Sequence, residues 1–197
     1  MVGALPLPGV ILAGGAGRRM GGVDKAQVLL AGHALWEHVA RRIAPQVDAL
    51  AVNAPGGTWV IDGAPLPCLP DPVPDRPGPL AGLLAALIWA EERDAEHVLT
   101  VATDTPFLPA DLVTRLGKAP VIAASAGRTH PVVGLWPVSC QPELRAALHA
   151  GDRRIGHFAA RIGAREVAWE DEDDPFFNVN TPSDLKIAEQ RLTASQR

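Results

Sequence analysis

The chain has 197 residues, 47% of them hydrophobic and 20% charged, with a formal net charge of −4. That is enough apolar chain for one domain with a substantial core, and too acidic a balance for a general nucleic-acid binder, which carries a basic face. Cys68 and Cys140 stand far apart in no metal-ligand spacing, as expected of incidental or buried thiols in a reducing compartment.

The opening residues lack the cationic segment of an export signal, and Pro6 and Pro8 interrupt their apolar run. The longest apolar stretch, around residues 80–90, falls short of the roughly 20 residues that a bilayer span needs. A cytoplasmic protein with no membrane or nucleic-acid partner is expected. Residues 10–13, Val-Ile-Leu-Ala, form an apolar strand that opens into a loop with five glycines, Gly14, Gly15, Gly17, Gly21 and Gly22. Arg18, Arg19, Asp24 and Lys25 are threaded through it. Glycine lets backbone N–H groups approach an anion closely, and the cationic side chains add formal charge, so the stretch suits a phosphate.

Leu35, Val39 and Ile43 recur four apart and predict a helix ended by Pro45. Residues 49–52 predict a buried strand stopping at Asn53, and 59–61 a second short one. Seven prolines in 64–79 forbid a helix or central strand and predict either a surface linker or, preferred here, a shaped loop at the mouth of a site. From Pro79, a helix places Leu80, Leu83, Leu84, Leu87 and Ile88 on one face. A strand over 97–102 ends at Thr103-Asp104-Thr105-Pro106, and a helix over 109–116 has Asp111 in its first turn. Strands are predicted at 121–124, 132–136 and 164–169, and helices at 142–150 and 155–162. Residues 170–174 read as a solvated acidic loop. Thr181-Pro182-Ser183-Asp184 gives an N-cap, a proline at the first helical position and a carboxylate three residues after the cap, opening a helix to about Leu192.

This order predicts one α/β domain over 1–192, a mostly parallel sheet with helices on both faces, and a frayed tail at 193–197. Ligands of such sheets bind beyond the carboxyl ends of the strands. Those ends carry the glycine-rich loop, Asn53, Asp71 and Asp104. The loop is not a P-loop, because Val23 and Asp24 separate Gly22 from Lys25 and Ala26 is no Mg²⁺-binding hydroxyl. It fits a dinucleotide fingerprint poorly, being one residue too long between Gly17 and Gly21, with Asn53 at the end of the second strand. Glycines with Arg19 and Lys25 among them suit a triphosphate that loses pyrophosphate. Asp104 reads equally as a turn cap or as a hard oxygen ligand for Mg²⁺. Beside a phosphate loop, the metal reading gains weight.

These residues resemble those of the molybdenum cofactor guanylyltransferases. The likeness runs through Leu12-Ala13-Gly14-Gly15, Arg19-Met20-Gly21-Gly22, Asp24-Lys25, Asn53, Asp71, the turn from Pro77 to Gly82, Asp104-Thr105-Pro106, His130-Pro131 and Asn178-Val179-Asn180-Thr181-Pro182. The resemblance implies a single Rossmann-like nucleotidyltransferase domain that moves GMP from Mg-GTP to the terminal phosphate of molybdenum-bearing molybdopterin. It further implies association with the enzymes that make and receive that cofactor. Carried over by position, Leu12, Ala13 and Gly14 line the guanine and ribose end, and Gly15, Arg19 and Gly22 cradle the triphosphate. Lys25 faces the phosphates, Asn53 and Asp71 contact the nucleoside, and Asp104 binds Mg²⁺, with Arg19, Lys25 and Asp104 as the catalytic set. Gly78 and Gly82 allow close approach of their turn, while Asn178 and Asn180 belong to the pterin side. His130, Arg153 and Arg154 are further candidates for the acceptor. Many family members have Pro-Cys before the aspartate, where this chain has Ala102-Thr103.

Three other readings compete. A sister family that transfers CMP to the same acceptor reads Leu-Ala-Ala-Gly at the loop, and a methyl at position 14 fills space that a purine needs, so Gly14 favours guanine. The others are a sugar-phosphate nucleotidyltransferase and a GTP-binding regulator without catalysis. Trp36, Trp59, Trp89, Trp136 and Trp169 read as packing, and His33, His38, His97 and His149 as surface or satisfied residues.

Overall fold

The computed structural model describes residues 6–13, 25–73, 78–171 and 173–194. Among them, seven strands form one sheet: β1 (Pro8–Leu12), β2 (Ala49–Asn53), β3 (Cys68–Leu69), β4 (His97–Ala102), β5 (Val121–Ser125), β6 (Arg128–Pro137) and β7 (Arg165–Trp169). Their spatial order is β7-β5-β6-β4-β1-β2-β3. Every pairing is parallel except those of β6, which runs antiparallel to β4 and β5. The expected mostly parallel sheet is therefore present, with one reversed strand inside it.

The helices are α1 (Leu35–Ile43), α2 (Pro79–Glu91), α3 (Leu112–Leu116), α4 (Gln141–His149), α5 (Ile155–Arg161) and α6 (Pro182–Ala194). Alternation along β1 sorts them into two layers. Ile11 joins Trp36, Val39 and Ile43 of α1 and Leu112 and Leu116 of α3 on one face. Val10 and Leu12 join α2, Leu144 of α4 and Phe158 of α5 on the other. Because α2 lies between the sheet and α4, it is apolar almost all round, and Ile88, which the periodicity placed on its buried face, is only partly buried.

Several boundaries differ from expectation. The helix predicted over 109–116 begins only at Leu112, with Asp111 just outside it. The final helix continues to Ala194, two residues beyond the predicted end, so residues 193 and 194 are helix and not tail. The strand predicted at 132–136 extends back to Arg128, making a hairpin with β5 through Ala126 and Gly127. Its register shifts between His130 and Gly134, which is how the strand admits Pro131. At Gly134 a Cβ would stand 2.7 Å from the Val121 carbonyl oxygen, so the sheet closes only on glycine there.

The five tryptophans are buried, as their packing role required. Trp136 Nε1 donates to Thr100 Oγ1 at 2.8 Å, and Thr100 Oγ1 donates to the Val132 carbonyl at 2.7 Å, so this indole enters the core with its N–H satisfied. His38 sits against the Leu30 carbonyl oxygen at 2.8 Å. Both cysteines are free, and burial pushes the Cys140 thiol up to about 12. No described helix is long and apolar enough to cross a membrane.

Candidate active site

Six of the seven strands run the same way, so their carboxyl ends line one edge, and the candidate residues gather there. Gly14, Gly15, Arg19 and Gly22 lie outside the described residues. On either side of that segment the chain is fixed. Before it, the Ala13 amide donates to the Asn53 carbonyl at 2.9 Å, carrying β1 pairing one residue past Leu12. After it, Lys25 opens a short 3-10 turn anchored by the buried Ala26.

Lys25 Nζ donates to Asp104 Oδ2 and to Asn180 Oδ1. Three distant parts of the chain thus meet at one ammonium. Asp104 lies two residues beyond the end of β4, and its carbonyl accepts the Val179 amide at 2.9 Å, which lays the segment carrying Asn180 alongside it. The side chains of Lys25 and Asp104 are 17% and 20% exposed, accessible to a ligand yet shielded enough for charge to count. Asn180, expected on the pterin side, is a direct partner of Lys25.

A second cluster lies two strands over. Asn53, buried at the end of β2, donates through Nδ2 to the Leu69 carbonyl at 3.0 Å and to Asp71 Oδ1 at 2.9 Å. Both amide hydrogens are used, so the amide orientation and the place of Asp71 are fixed together. Gly82 in α2 packs on this pair: a Cβ there would stand 2.3 Å from Asn53 Oδ1 and 3.3 Å from Leu12 Cδ2. Gly78, just before α2, has φ +83° and ψ −159°, a conformation open essentially to glycine alone. A Cβ on Gly78 would be 3.8 Å from the Arg153 carbonyl oxygen, so the α4–α5 link adjoins the start of α2. Arg153, Arg154 and Asn178 have exposed side chains.

His130 has its Nε2 2.7 Å from Ser125 Oγ, and its ring lies against Phe176 with centroids 5.0 Å apart. Burial lowers its pKa, against the pull of the Asp174 carboxylate. Ser125 also donates to Asp174 Oδ1 at 2.6 Å. Asp174 therefore departs from the solvated acidic loop predicted for 170–174: Glu170, Asp171 and Asp173 are exposed, but Asp174 is drawn in by hydrogen bonds. Sequence reasoning passed over Ser125 and Asp174. Ser125 had a usable signal, a polar residue closing an apolar strand, the same pattern that marked Asn53. Asp174 had none, since neighbouring acids masked it.

At the start of α6, Asp184 Oδ2 accepts the amides of Asn180 and Thr181 at 2.9 and 2.8 Å, while Thr181 Oγ1 accepts the Asp184 amide at 3.1 Å. This is the predicted cap. Although desolvation opposes it, these hydrogen bonds and Lys25 together lower the Asp184 pKa.

A mostly parallel α/β sheet with an amide–carboxylate pair and a lysine–aspartate pair on its carboxyl edge defines a nucleotide-using α/β domain. The chain belongs to the MobA-like NTP transferase domain family, whose profile matches residues 9–166. It is 48% identical over 184 residues to the molybdenum cofactor guanylyltransferase of Acidiphilium cryptum, covering 93% of this chain and 94% of that one. It is also 48% identical to the protein of that name from Rhodopseudomonas palustris strain BisB5, covering 93% and 92%. Among solved structures it resembles molybdopterin-guanine dinucleotide biosynthesis protein A from Archaeoglobus fulgidus, with TM-score 0.69, 25% identity and coverage of 95% and 99%. The 2-C-methyl-D-erythritol 4-phosphate cytidylyltransferase of Thermus thermophilus shares the fold, with TM-score 0.62 at 18% identity over 93% and 98%.

Proposed function

We propose that this protein transfers GMP from GTP to the terminal phosphate of molybdenum-bearing molybdopterin, releasing pyrophosphate and leaving the guanine dinucleotide form of the cofactor. The observation that carries the reading is the meeting of Lys25, Asp104 and Asn180 at the edge that also holds Asn53 and Asp71, in a chain nearly half identical to guanylyltransferases of this cofactor.

The acceptor phosphate is already anionic near neutral pH and needs no general base. The protein's task is to hold two polyanions in line and offset the charge that grows on the leaving pyrophosphate. Lys25 supplies a fixed ammonium, with Arg19 and the amides of Gly15 and Gly22 assigned beside it. Leu12, Ala13 and Gly14 take the guanosine end, Gly14 leaving room for the purine. Asp71, steadied by Asn53, offers a carboxylate to the nucleoside, and Gly78 and Gly82 let their turn come close. Arg153, Arg154 and Asn178 are assigned to the acceptor side, with Asn180 serving both.

Asp104 is the residue that would hold Mg²⁺. Lys25 takes one of its oxygens, and no hydrogen bond reaches the other among the described residues. A single carboxylate fits an ion that keeps several waters and takes its remaining ligands from phosphate. When bound, the ion offsets phosphate charge. The enzymes that supply molybdopterin and receive the dinucleotide are its expected protein partners.

The test is pyrophosphate release with molybdopterin as acceptor across GTP, CTP, ATP and UTP, with and without Mg²⁺. GTP with Mg²⁺ is expected to be turned over fastest. Preference for CTP would make it a cytidylyltransferase, and GTP binding without pyrophosphate release would make it a regulator.

A further inference from the structure

Lys25 is held by Asn180, and Asn180 stands at the end of a strap, residues 174–180, whose other end is tied down away from the nucleotide. We propose that Ser125, His130 and Asp174 are positioning residues for nucleotide binding: by fixing the start of the strap they set Asn180 against Lys25, and so fix where the ammonium meets phosphate.

The chain of contacts is continuous. Asp174 Oδ1 accepts Ser125 Oγ at 2.6 Å and the Phe176 amide at 2.9 Å, and the Asp174 carbonyl accepts Arg191 Nη1 at 3.0 Å and the Phe177 amide at 3.2 Å. Phe176 is wedged between the rings of His130 and Trp169, each centroid 5.0 Å away. The Arg191 guanidinium lies 4.5 Å over the Phe177 ring. Two residues on, the Val179 amide donates to the Asp104 carbonyl, and the next side chain is Asn180 on Lys25. The strap is thus pinned at Asp174, clamped by aromatic rings in its middle and delivered to the catalytic pair at its end.

Proton placement separates this network from a nucleophilic triad. An ionised carboxylate only accepts, so the Ser125 hydroxyl spends its one hydrogen on Asp174 and must itself accept from His130 Nε2–H. In a nucleophilic triad the histidine stands between serine and carboxylate and takes the serine's proton. Here the serine stands between them. Ser125, 3% exposed, is a joint and not a reacting group.

The inference rests on the nucleotide reading above, so its test uses Mg-GTP affinity measured by calorimetry, which needs no acceptor. Ser125→Ala is expected to weaken Mg-GTP binding about fivefold or more, as is Asn180→Ala. Because Ser125 acts through Asn180, the double variant should bind no more weakly than N180A alone. Asp174→Asn keeps an oxygen for Ser125 and for the Phe176 amide and should retain affinity within about twofold, a rescue that a general need for negative charge would not give. His130→Phe keeps a ring on Phe176 but loses the donor, and is expected to weaken binding like S125A, providing the same cycle if S125A does not fold. Unchanged affinity in folded S125A and H130F, or penalties that multiply in the double variants, overturns the positioning role while the nucleotide site stands. A wild-type protein that binds no Mg-GTP overturns both.

Discussion

Lys25 and Asp104 are paired in the protein alone, while the proposed reaction gives each separate work, one against phosphate oxygens and one for the metal. Removing a single such electrostatic group costs about 2.7–4 kcal/mol in barrier, or roughly 10²–10³ in rate. Lys25→Ala and Asp104→Ala should each lose at least that order in kcat for pyrophosphate release, with circular dichroism and melting temperature close to wild type. A fully active variant would strip that residue of its role. Gly82 is as demanding through its lack of a side chain. Gly82→Ala drives a methyl into Asn53 Oδ1, turning the amide that holds Asp71. The expected outcome is a rise of about tenfold or more in the KM for GTP with kcat far less affected, since the proposal gives the pair a nucleoside to bind and no reacting atom to touch (about 1.4 kcal/mol per tenfold). Equal losses in both parameters would place Asn53 elsewhere in the reaction. Asn53, Asp71 and Asp104 were legible because each follows an apolar run, where an α/β sheet exposes its carboxyl ends. The Asp174–Ser125 bond was not legible, because it joins positions 49 apart and nothing local distinguishes Asp174 from the acids before it.

The reversed strand shows why some elements resist reading. An apolar run is the same whichever way it points, so residues 132–136 announced a strand without its direction. Hairpins usually declare themselves by Asn-Gly or Asp-Gly, because a two-residue turn of type I′ needs positive φ at both positions. This one uses Ala126 and Gly127, at φ +47° and +71°, with Ser125 and Arg128 paired on either side. Alanine in that region is strained by roughly 1–2 kcal/mol, and its side chain gives no sequence signal. Ala126→Asn relieves much of that cost, and a gain of about 1 kcal/mol should raise the melting temperature by roughly 2–4 °C. A lower melting temperature would mean that the methyl of Ala126 makes contacts worth more than the turn's strain. The start of α2, by contrast, was legible in Pro79, and its end falls at Glu91, the first of the four polar residues expected to close it.

For the molecule as a whole, two half-buried histidines set a pH dependence. Burial lowers the pKa of His38 and of His130 below their ordinary 6.5. Between that value and each depressed folded value, the unfolded chain binds protons that the folded chain refuses, so stability increases with pH across the window. Their contribution is complete above about pH 7.5, one unit past the unfolded midpoint, and is lost as pH falls through 6.5 and then through the folded values. The melting temperature should fall with acidification over that range, and His38→Gln, which can still donate to the Leu30 carbonyl, should flatten the slope. A slope untouched in H38Q would move the effect to other groups. At this scale the layered sheet was readable from the alternation of apolar runs and helices. The strap was not, because residues 174–180 contain no periodic element and owe their path to partners on β5, β6 and α6.

The contact between Lys25 and Asn180 spans 155 positions. A chain made from its N-terminus presents the lysine first and must add all the intervening residues before the amide that steadies it exists, which at 5–20 residues per second takes on the order of 10–30 s. Through that interval β1, β2 and β4 can already pair while their cationic edge stays unfinished. The contact that steadies the lysine is therefore completed only after all seven strands of the sheet have been made.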